Sequence, residues 1–311
     1  MKDINYKVSV RLMTYNHELF IREALESVMS QKTTFPVEVV VGDDFSTDRT
    51  LDIVREFSDT DNITINILDR PEGGEYARER EKYGRLYNFA DILSNCSGEY
   101  IAWLDGDDYW GDESKLQQQV SFLDANPEYV IHFHDSLTVS EDDQVISRTR
   151  IANRNNTRSV SDIIQGFVMT TNVIMHRNLN IAVPLDFYEA SNGDSFYLVL
   201  LGHYGKAWFD PDIKPSVYRE HGSSVWSKLG PMTKLEKSYR TIRLVTKHID
   251  PEYRHLNYRR RASAQWRILA GTGGGVLKKL DQLVDLTEDL ALYGYYRVRN
   301  QLKGGPVKPA R

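Results

Sequence analysis

The first 105 residues alternate between short apolar runs, typical of buried strands, and segments with helical spacing. Strands are indicated at residues 8–12, 37–41 and 100–104, and Ile63, Ile65 and Ile67 alternate as in a further strand. Apolar or packed positions recur at helical spacing at Ile21, Leu25, Val28 and Met29, and again at Thr50, Ile53, Val54 and Phe57. Strands and helices in this order predict an α/β fold with a mainly parallel, doubly wound sheet.

Polar residues directly follow three of these predicted strands, at residues 14–17, 42–48 and 105–108. In open parallel sheets, ligands bind outside the carboxyl ends of the strands, so we expect the three segments to meet in one crevice. Asp105 and Asp107 flank a glycine in a tight turn, and their hard oxygen ligands suit Mg²⁺ or Mn²⁺ bridging a diphosphate. The pattern favours a site that handles a nucleotide.

Two other interpretations apply to the acidic segment. Asp and Gly are common turn residues, so an isolated Asp-x-Asp is equally typical of an ordinary polar turn. An EF-hand loop beginning at Asp105 is excluded, because its twelfth position is Leu116 rather than Glu and its sixth position is not Gly.

Four segments together carry a resemblance to a known family. They are residues 8–16 (VSVRLMTYN), 27–31 (SVMSQ), 41–48 (VGDDFSTD) and 98–108 (GEYIAWLDGDD). In this order they resemble the inverting family-2 glycosyltransferases of the GT-A fold, of the type that builds bacterial surface polysaccharides. The resemblance implies a Rossmann-like sheet flanked by helices, a nucleotide-diphosphate sugar donor and a divalent metal. It also implies an acceptor hydroxyl whose attack inverts the configuration of the anomeric carbon.

The resemblance also implies roles for individual residues around the donor. Asp44 would accept a hydrogen bond from the nucleobase, although an acid near a helix N-terminus is the simpler interpretation. Asp105 would contact the ribose or the waters of the metal, and Asp107 would bind the Mg²⁺ or Mn²⁺ directly. Thr14 and Tyr15, after the first strand, are further candidates for nucleotide-sugar binding.

An arginine between the third and fourth strands often contacts the nucleotide in this family. Arg78, Arg80 and Arg85 compete for this role, and we favour Arg80. The Asn-x-Gly pattern often found in that stretch is absent here, and residues 79–82 are equally typical of a solvated, salt-bridged helix face.

The inverting reaction needs a base that takes the proton of the acceptor hydroxyl. Residues 191–194 precede an apolar run that predicts a helix. The family keeps its base at this position, so the resemblance implies Asp194 as the candidate. An acid in the first turn of a helix is the simpler interpretation.

Arg219 and His221 lie in a segment similar to the family's Tyr-Arg-x-His, so Arg219 could neutralise phosphate and His221 could complete the metal shell. A surface loop with a chance histidine is the alternative.

Composition limits the class of protein. The chain has 311 residues, a hydrophobic content of 41% and a formal net charge of -5, which argues against a nucleic-acid-binding stripe. The single Cys96 allows no internal disulfide, and neither a signal core nor a stretch of transmembrane length is evident. We expect a cytoplasmic enzyme, peripheral at the inner face of the membrane if its C-terminal region binds lipid.

The composition shifts near Pro231 towards helices rich in Lys and Arg. We predict a GT-A domain over residues 1–230, a basic helical appendage over 231–303 and a disordered tail over 304–311. The nucleotide-binding half would end near residue 110, and the acceptor half would follow it. The basic helices would suit docking on anionic lipid beside a lipid-linked acceptor. Packing on the domain, or on a second subunit in a homodimer, is the other interpretation.

The sequence thus predicts a metal-dependent inverting glycosyltransferase that moves a sugar from a nucleotide-diphosphate donor to a hydroxyl of a glycan or lipid-linked acceptor. The alternative is a non-catalytic nucleotide-sugar or glycan-binding protein that retains the fold. A dehydrogenase is disfavoured, because no Gly-x-Gly-x-x-Gly follows the first strand.

Overall fold

The computed structural model describes residues 5–149, 156–166, 169–222, 224, 226, 228–271 and 276–302. The chain divides into two compact units. The first unit consists of Met1–Ser159, Val168–Val183 and Gly205–Ser227, and the second of Val160–Phe167, Pro184–Tyr204 and Lys228–Arg311. The second unit thus takes in two segments that precede residue 230. The predicted boundary between a GT-A domain and a helical appendage at residue 230 stays a prediction. The predicted disordered tail, residues 304–311, lies outside the described residues.

The first unit contains all the described strands and five helices. The strands are β1 (Val8–Thr14), β2 (Val37–Asp43), β3 (Ile63–Ile67), β4 (Tyr100–Asp105), β5 (Tyr129–His134), β6 (Ser136–Ser140), β7 (Val145–Thr149), β8 (Thr157–Arg158), β9 (Met175–Arg177), β10 (Lys206–Asp210) and β11 (Ser216–Glu220). The helices are α1 (Ile21–Met29), α2 (Thr50–Arg55), α3 (Glu75–Tyr83), α4 (Leu86–Ser94) and α5 (Lys115–Ala125), and a 3₁₀ turn spans Thr171–Val173.

An eight-stranded sheet forms the centre of this unit, in the order β3-β2-β1-β4-β9-β5-β10-β8. β1 pairs in parallel with β2 and β4, β2 with β3, and β5 with β10, whereas β9 and β8 are antiparallel to their neighbours. The predicted mainly parallel α/β sheet is confirmed. A smaller three-stranded sheet has the order β11-β6-β7.

The register of the central strands places their polar ends at one edge. Leu12 in β1 lies opposite both Val41 and Leu104, and Thr14 lies opposite Asp43. Because the strands run in parallel, the residues that follow them emerge side by side. This alignment positions the candidate site.

Helix α1 has the apolar face that its spacing predicts, since Ile21, Leu25 and Val28 are fully buried against the sheet. Full burial of such side chains contributes about 1.5–3 kcal/mol each. Helix α2 is shorter than its pattern suggests. It ends at Arg55, and Phe57 packs half-buried beyond the helix.

A buried lysine lies in α5, which packs on β5. Lys115 is fully buried, its Nζ donates to Gln119 Oε1 (2.7 Å), and the same nitrogen lies 4.3 Å from the ring centre of Trp110. Burial lowers the pKa of Lys115 to about 7, with Asp112 opposing the shift. Burial likewise lowers the pKa of the neighbouring His132 and His134. The folded state is therefore more stable when Lys115, His132 and His134 are neutral.

The second unit consists of helices. They are α6 (Val160–Gln165), α7 (Leu185–Tyr188), α8 (Gly193–Leu201), α9 (Pro231–Thr246), α10 (Arg254–Gly271) and α11 (Val276–Leu302). Tyr239 of α9 packs with Ala264 and Ile268 of α10. Arg261 of α10 pairs with the fully buried Asp289 of α11 at 2.6 Å. Across the described residues, no helix combines the length and apolar character needed to span a bilayer.

Lys115→Met should flatten the dependence of stability on pH. The unfolded lysine titrates near 10.5 and the folded one near 7, so between these values the unfolded chain binds the extra proton. Wild-type stability should therefore gain up to about 1.4 kcal/mol per pH unit from this group as pH rises through that range. Urea unfolding of both proteins at pH 7, 8 and 9 measures the difference in slope. Parallel slopes would contradict a neutral Lys115.

Candidate active site

The turn after β4 packs tightly against the segment after β1. Gly106 N donates to Met13 O (2.8 Å). A Cβ at Gly106 would lie only 2.8 Å from Thr14 Oγ1 and 2.9 Å from His17 Nδ1, so this position needs glycine. The close approach brings the acidic turn against the loop that carries Tyr15, whose side chain is 53% exposed.

Asp105 is held by two donors from other parts of the chain. Arg11 NH2 donates to Asp105 Oδ1 (2.8 Å), and Thr171 Oγ1 donates to Asp105 Oδ2 (3.0 Å). The Arg11 guanidinium is fully buried and lies 4.8 Å from the ring centre of Phe89 and 5.3 Å from that of Trp103. A guanidinium enclosed in this way fixes the carboxylate of Asp105 in one orientation. Sequence reasoning missed Arg11, although an arginine within an apolar strand is itself a signal.

Asp107 lies between two histidines. His221 Nε2 is 2.9 Å from Asp107 Oδ2, and His17 Nε2 is 3.7 Å from the same oxygen. Burial opposes ionisation, but the hydrogen bond with His221 and the charges of both histidines lower the pKa of Asp107 below its ordinary value. The structure thus brings together the two predicted metal ligands, Asp107 and His221. It adds His17, which the sequence analysis did not select.

Asp108 turns inward. It is 1% exposed, and its Oδ1 accepts the backbone N–H of Arg219 in β11 (2.9 Å). Burial and the charges of Asp107 and Asp105 raise the pKa of Asp108 well above its ordinary value. Asp108 therefore ties the acidic turn to the smaller sheet.

Arg219 lies behind the same turn. Its NH2 donates to Glu23 Oε2 (2.7 Å) and Asp143 Oδ1 (2.8 Å), and the residue is only 3% exposed. The guanidinium also lies 5.0 Å from the ring centre of Phe20. Arg219 therefore links helix α1, the turn between β6 and β7, and the acidic turn. Its contact with phosphate stays a prediction.

Asp44 and Arg80, both predicted to contact the nucleotide, lie in direct contact. Arg80 Nε and NH2 each donate to the Asp44 carboxylate at 2.8 Å, and Tyr76 Oη donates to Asp44 Oδ1 at 2.8 Å. Burial raises the pKa of Tyr76, so the phenol remains a donor. Helix α2 begins only at Thr50, so Asp44 is not an acid of its first turn. Whether Asp44 and Arg80 contact a nucleobase stays a prediction.

The loops after β1 and β2 are joined by hydrogen bonds from backbone N–H groups of each loop to side-chain oxygens of the other. Asn16 N donates to Ser46 Oγ (2.8 Å), and Thr47 N donates to Asn16 Oδ1 (2.8 Å). Thr14 is buried, and its carbonyl accepts the N–H of Asp44 (2.9 Å). The two predicted donor-binding loops therefore form one rigid rim.

A cavity of about 780 Å³ opens at the carboxyl ends of β2 and β3. Its lining includes Asp43, Phe45, Thr47, Leu68, Arg70 and Pro71. Small-molecule sites commonly have volumes of about 300–1,000 Å³. Because two lining residues flank Asp44 in the chain, the cavity borders the predicted nucleobase contact.

Asp194 lies in the first turn of α8 and belongs to the second unit. The preceding Asn192 is extended, with φ -126° and ψ 95°, and Glu189 lies at the end of α7. The helix predicted to begin here is present. The role of Asp194 as a base stays a prediction.

The comparison with known proteins identifies the family. The model of Glycosyl transferase family 2 matches residues 9–181, more than half of the chain. The chain belongs to this family. Within the described residues, no group of three or more His, Cys, Asp or Glu side chains is arranged to hold a metal ion by itself.

Two bacterial relatives are similar in sequence. An uncharacterized protein of Mycobacterium tuberculosis is 32% identical over 230 residues, which is 70% of this chain and 60% of that protein. Poly(ribitol-phosphate) beta-N-acetylglucosaminyltransferase TarS of Staphylococcus aureus is 37% identical over 123 residues, which is 39% of this chain and 19% of TarS. The chain thus spans about 60% of the length of the mycobacterial relative.

Two solved structures share the GT-A fold. TarS residues 1–349 in complex with UDP-GlcNAc match with a TM-score of 0.63 at 19% identity, covering 97% of this chain and 93% of that one. Mannosyltransferase PcManGT of Pyrobaculum calidifontis, in complex with GDP-Man and Mn²⁺, matches with a TM-score of 0.53 at 19% identity, covering 97% and 85%. The predicted GT-A fold with C-terminal helices is confirmed.

Arg11→Met should destabilise the protein, because it leaves Asp105 beside two other acids without its buried cation. We expect a loss of about 3 kcal/mol in the free energy of unfolding at pH 7. Arg22→Met is the matched control, since it removes an ion pair with Glu56 in which both side chains are about half exposed. That variant should lose much less stability than Arg11→Met, because solvent screens the exposed pair. Urea unfolding measures both, and equal losses would contradict the role of Arg11.

Proposed function

We propose that this protein is a metal-dependent inverting glycosyltransferase. It transfers a sugar from a nucleotide-diphosphate donor to a hydroxyl of a glycan or lipid-linked acceptor in surface polysaccharide synthesis. The observation that carries the proposal is that Asp44, Asp105 and Asp107 lie at the carboxyl ends of β2 and β4, the two strands that pair with β1, in a family-2 chain. TarS, an N-acetylglucosaminyltransferase by name, supports the polysaccharide context.

The donor would occupy the edge formed by the loops after β1 and β2. Asp44 is oriented by Arg80 and Tyr76, and the 780 Å³ cavity beside it has room for a nucleoside. The rigid rim of Asn16 and Thr47 lowers the entropy lost when a ligand binds. UDP-GlcNAc is the first donor to test, because TarS has been solved with it.

Asp107 and His221 would hold the divalent cation. A carboxylate oxygen and an imidazole nitrogen 2.9 Å apart can bind one ion together, with phosphate oxygens and water supplying the remaining ligands. A bound Mg²⁺ or Mn²⁺ would stabilise the negative charge that develops on the departing diphosphate. The lowered pKa of Asp107 keeps this ligand ionised.

Asp194 would accept the proton of the acceptor hydroxyl while the oxygen of that hydroxyl attacks the anomeric carbon. The bond between that carbon and the diphosphate breaks on the opposite face, which inverts the configuration. Asp105, fixed by Arg11 and Thr171, would keep its position during this step and contact the ribose or the waters of the cation. The GT-A domain of residues 1–230 would carry these groups.

A non-catalytic nucleotide-sugar or glycan-binding protein is the competing function. The two functions differ in turnover. Incubation with UDP-, GDP- and dTDP-sugars, Mn²⁺ and a pool of polyol-phosphate and glycan acceptors should release nucleoside diphosphate if the protein is a transferase. Binding of these sugars without any release would favour the competing function.

We further propose that α11 pairs with a second copy of the chain in the cytoplasm. Leu290, Tyr295 and Val298 are each more than half exposed along this helix. Part of the basic charge of α10 is already used internally, because Arg261 pairs with Asp289. These features favour a homodimer over docking on lipid.

Leu290→Glu should convert the dimer to a monomer in light scattering, because it places a charge in the apolar contact. Val145→Glu is the control, since Val145 is 65% exposed but lies in β7. A wild-type monomer that floats with acidic liposomes and dissociates at high salt would instead favour peripheral membrane binding.

Asp107→Asn should weaken nucleoside diphosphate binding and abolish turnover, because it removes the charged ligand of the cation. In wild type, the thermal shift caused by UDP should be larger with Mn²⁺ than with EDTA. In the variant, the two conditions should give the same shift. Equal UDP affinity with and without Mn²⁺ in the wild type would contradict the metal assignment.

Asp194→Asn should lower kcat by about 10²–10⁴-fold and leave the affinity for the donor nearly unchanged. Asparagine is close in size and suits the start of a helix, so stability should change little. Initial rates of nucleoside diphosphate release, with a titration of the donor, measure both parameters. If the variant retains more than roughly a tenth of wild-type kcat, the base must be sought elsewhere, with Glu189 and His221 next.

A further inference from the structure

A single buried hydroxyl in the second unit anchors the loop that precedes α8. The backbone N–H groups of Ser191 and Asn192 both donate to Thr241 Oγ1 in α9, each at 3.1 Å. Thr241 is 2% exposed, and its hydroxyl also approaches Lys237 O at 3.3 Å. Two consecutive amides that converge on one enclosed oxygen fix the path of the backbone there. Solvent cannot readily replace this acceptor, because the side chain is buried.

The anchored loop leads directly into the turn that carries Asp194. Asn192 is the last residue before α8, and its carbonyl accepts the N–H of Phe196 (3.1 Å). The side chain of Asn192 makes no capping hydrogen bond to the helix. The backbone anchor at residues 191 and 192 therefore helps to set where α8 begins. A shift there would move Asp194, which lies in the first turn.

We propose that Thr241 is a positioning residue for Asp194. The proposal rests on the proposed function, in which Asp194 takes the proton of the acceptor hydroxyl. It makes α9, which begins after residue 230, part of the catalytic apparatus rather than an appendage. Proton transfer requires the base within hydrogen-bond reach of the hydroxyl, so a displacement of the order of 1 Å has a large kinetic cost.

Two substitutions separate the hydroxyl from the shape of the side chain. A small cavity of about 20 Å³ already borders Thr241. Truncation to alanine would enlarge it and mix a packing defect with the lost hydrogen bonds. Thr241→Val keeps the branched shape but removes the acceptor, whereas Thr241→Ser keeps the acceptor and removes a methyl group. The serine variant is therefore the matched control.

Amide hydrogen exchange tests the anchor without any substrate. In the full chain, Thr241→Val should speed exchange of the amides of Ser191 and Asn192 by about tenfold, since each loses its acceptor. Thr241→Ser should leave both exchange rates near those of the wild type. Unchanged exchange in the valine variant would overturn the proposal, because the hydroxyl would then not hold the loop.

Kinetics test whether the anchor serves Asp194. With the donor and acceptor pair that supports turnover, Thr241→Val should lower kcat by about 10-fold to 100-fold at unchanged KM for the donor. Thr241→Ser should restore most of the rate. In the Asp194→Asn background, Thr241→Val should cost little more, because the group that it positions is already lost.

The same set of variants distinguishes the possible failures. If Asp194→Asn is slow but Thr241→Val turns over at the wild-type rate, the positioning role is wrong and the proposed base stands. If Thr241→Val lowers kcat by the same factor with and without Asp194, the hydroxyl acts independently of the base, which also overturns the proposal. If Asp194→Asn is as active as the wild type, the proposed base itself fails.

Discussion

The carboxylates of Asp105, Asp107 and Asp108 lie within four residues of the chain, so their mutual repulsion must be offset. The rest of the candidate site depends on the groups that offset it. Each acid has a different counterpart. Asp105 meets the buried Arg11, Asp107 meets His221 and His17, and Asp108 accepts a backbone N–H and has a raised pKa. The raised pKa of Asp108 weakens its tendency to add a further negative charge to the turn. Separate counterparts thus let Asp105 and Asp107 lie in the same short turn.

The counterparts come from segments far apart in the sequence. Arg11 lies in β1, Thr171 in a 3₁₀ turn, and His221 follows β11, so the acidic turn is complete only when the sheets have formed. The parallel register of β1, β2 and β4 delivers the polar ends to one edge, and Gly106 permits the close contact with the first loop. The site is thus a product of tertiary folding.

Local patterns predicted the elements well, because burial on a sheet or on one helix face imposes a simple periodicity. Residues 8–12, 37–41, 63–67 and 100–104 lie in β1 to β4, and the apolar face of α1 is the predicted one. Long-range partners could not be predicted in this way. Nothing in the spacing pairs Arg80 with Asp44, or His17 with Asp107, since these contacts depend on how loops pack. Arg11 was the one exception with a usable signal, because a charge within a buried strand requires a partner.

The division of the chain into units also follows contacts rather than composition. The shift towards Lys and Arg near Pro231 suggests a boundary there, yet α8 packs with α9 and joins the second unit. A basic composition describes the exposed surface of helices, whereas the buried faces decide which helices pack together. Thr241 shows the consequence, since a neutral residue in a basic segment anchors the loop before Asp194. If Asp194 in the first turn of α8 is the catalytic base, a truncation before α9 would remove the anchor of the preceding loop as well as part of the packing of α8. Loss of activity in such a truncated protein would therefore not by itself identify the C-terminal helices as a separate binding module.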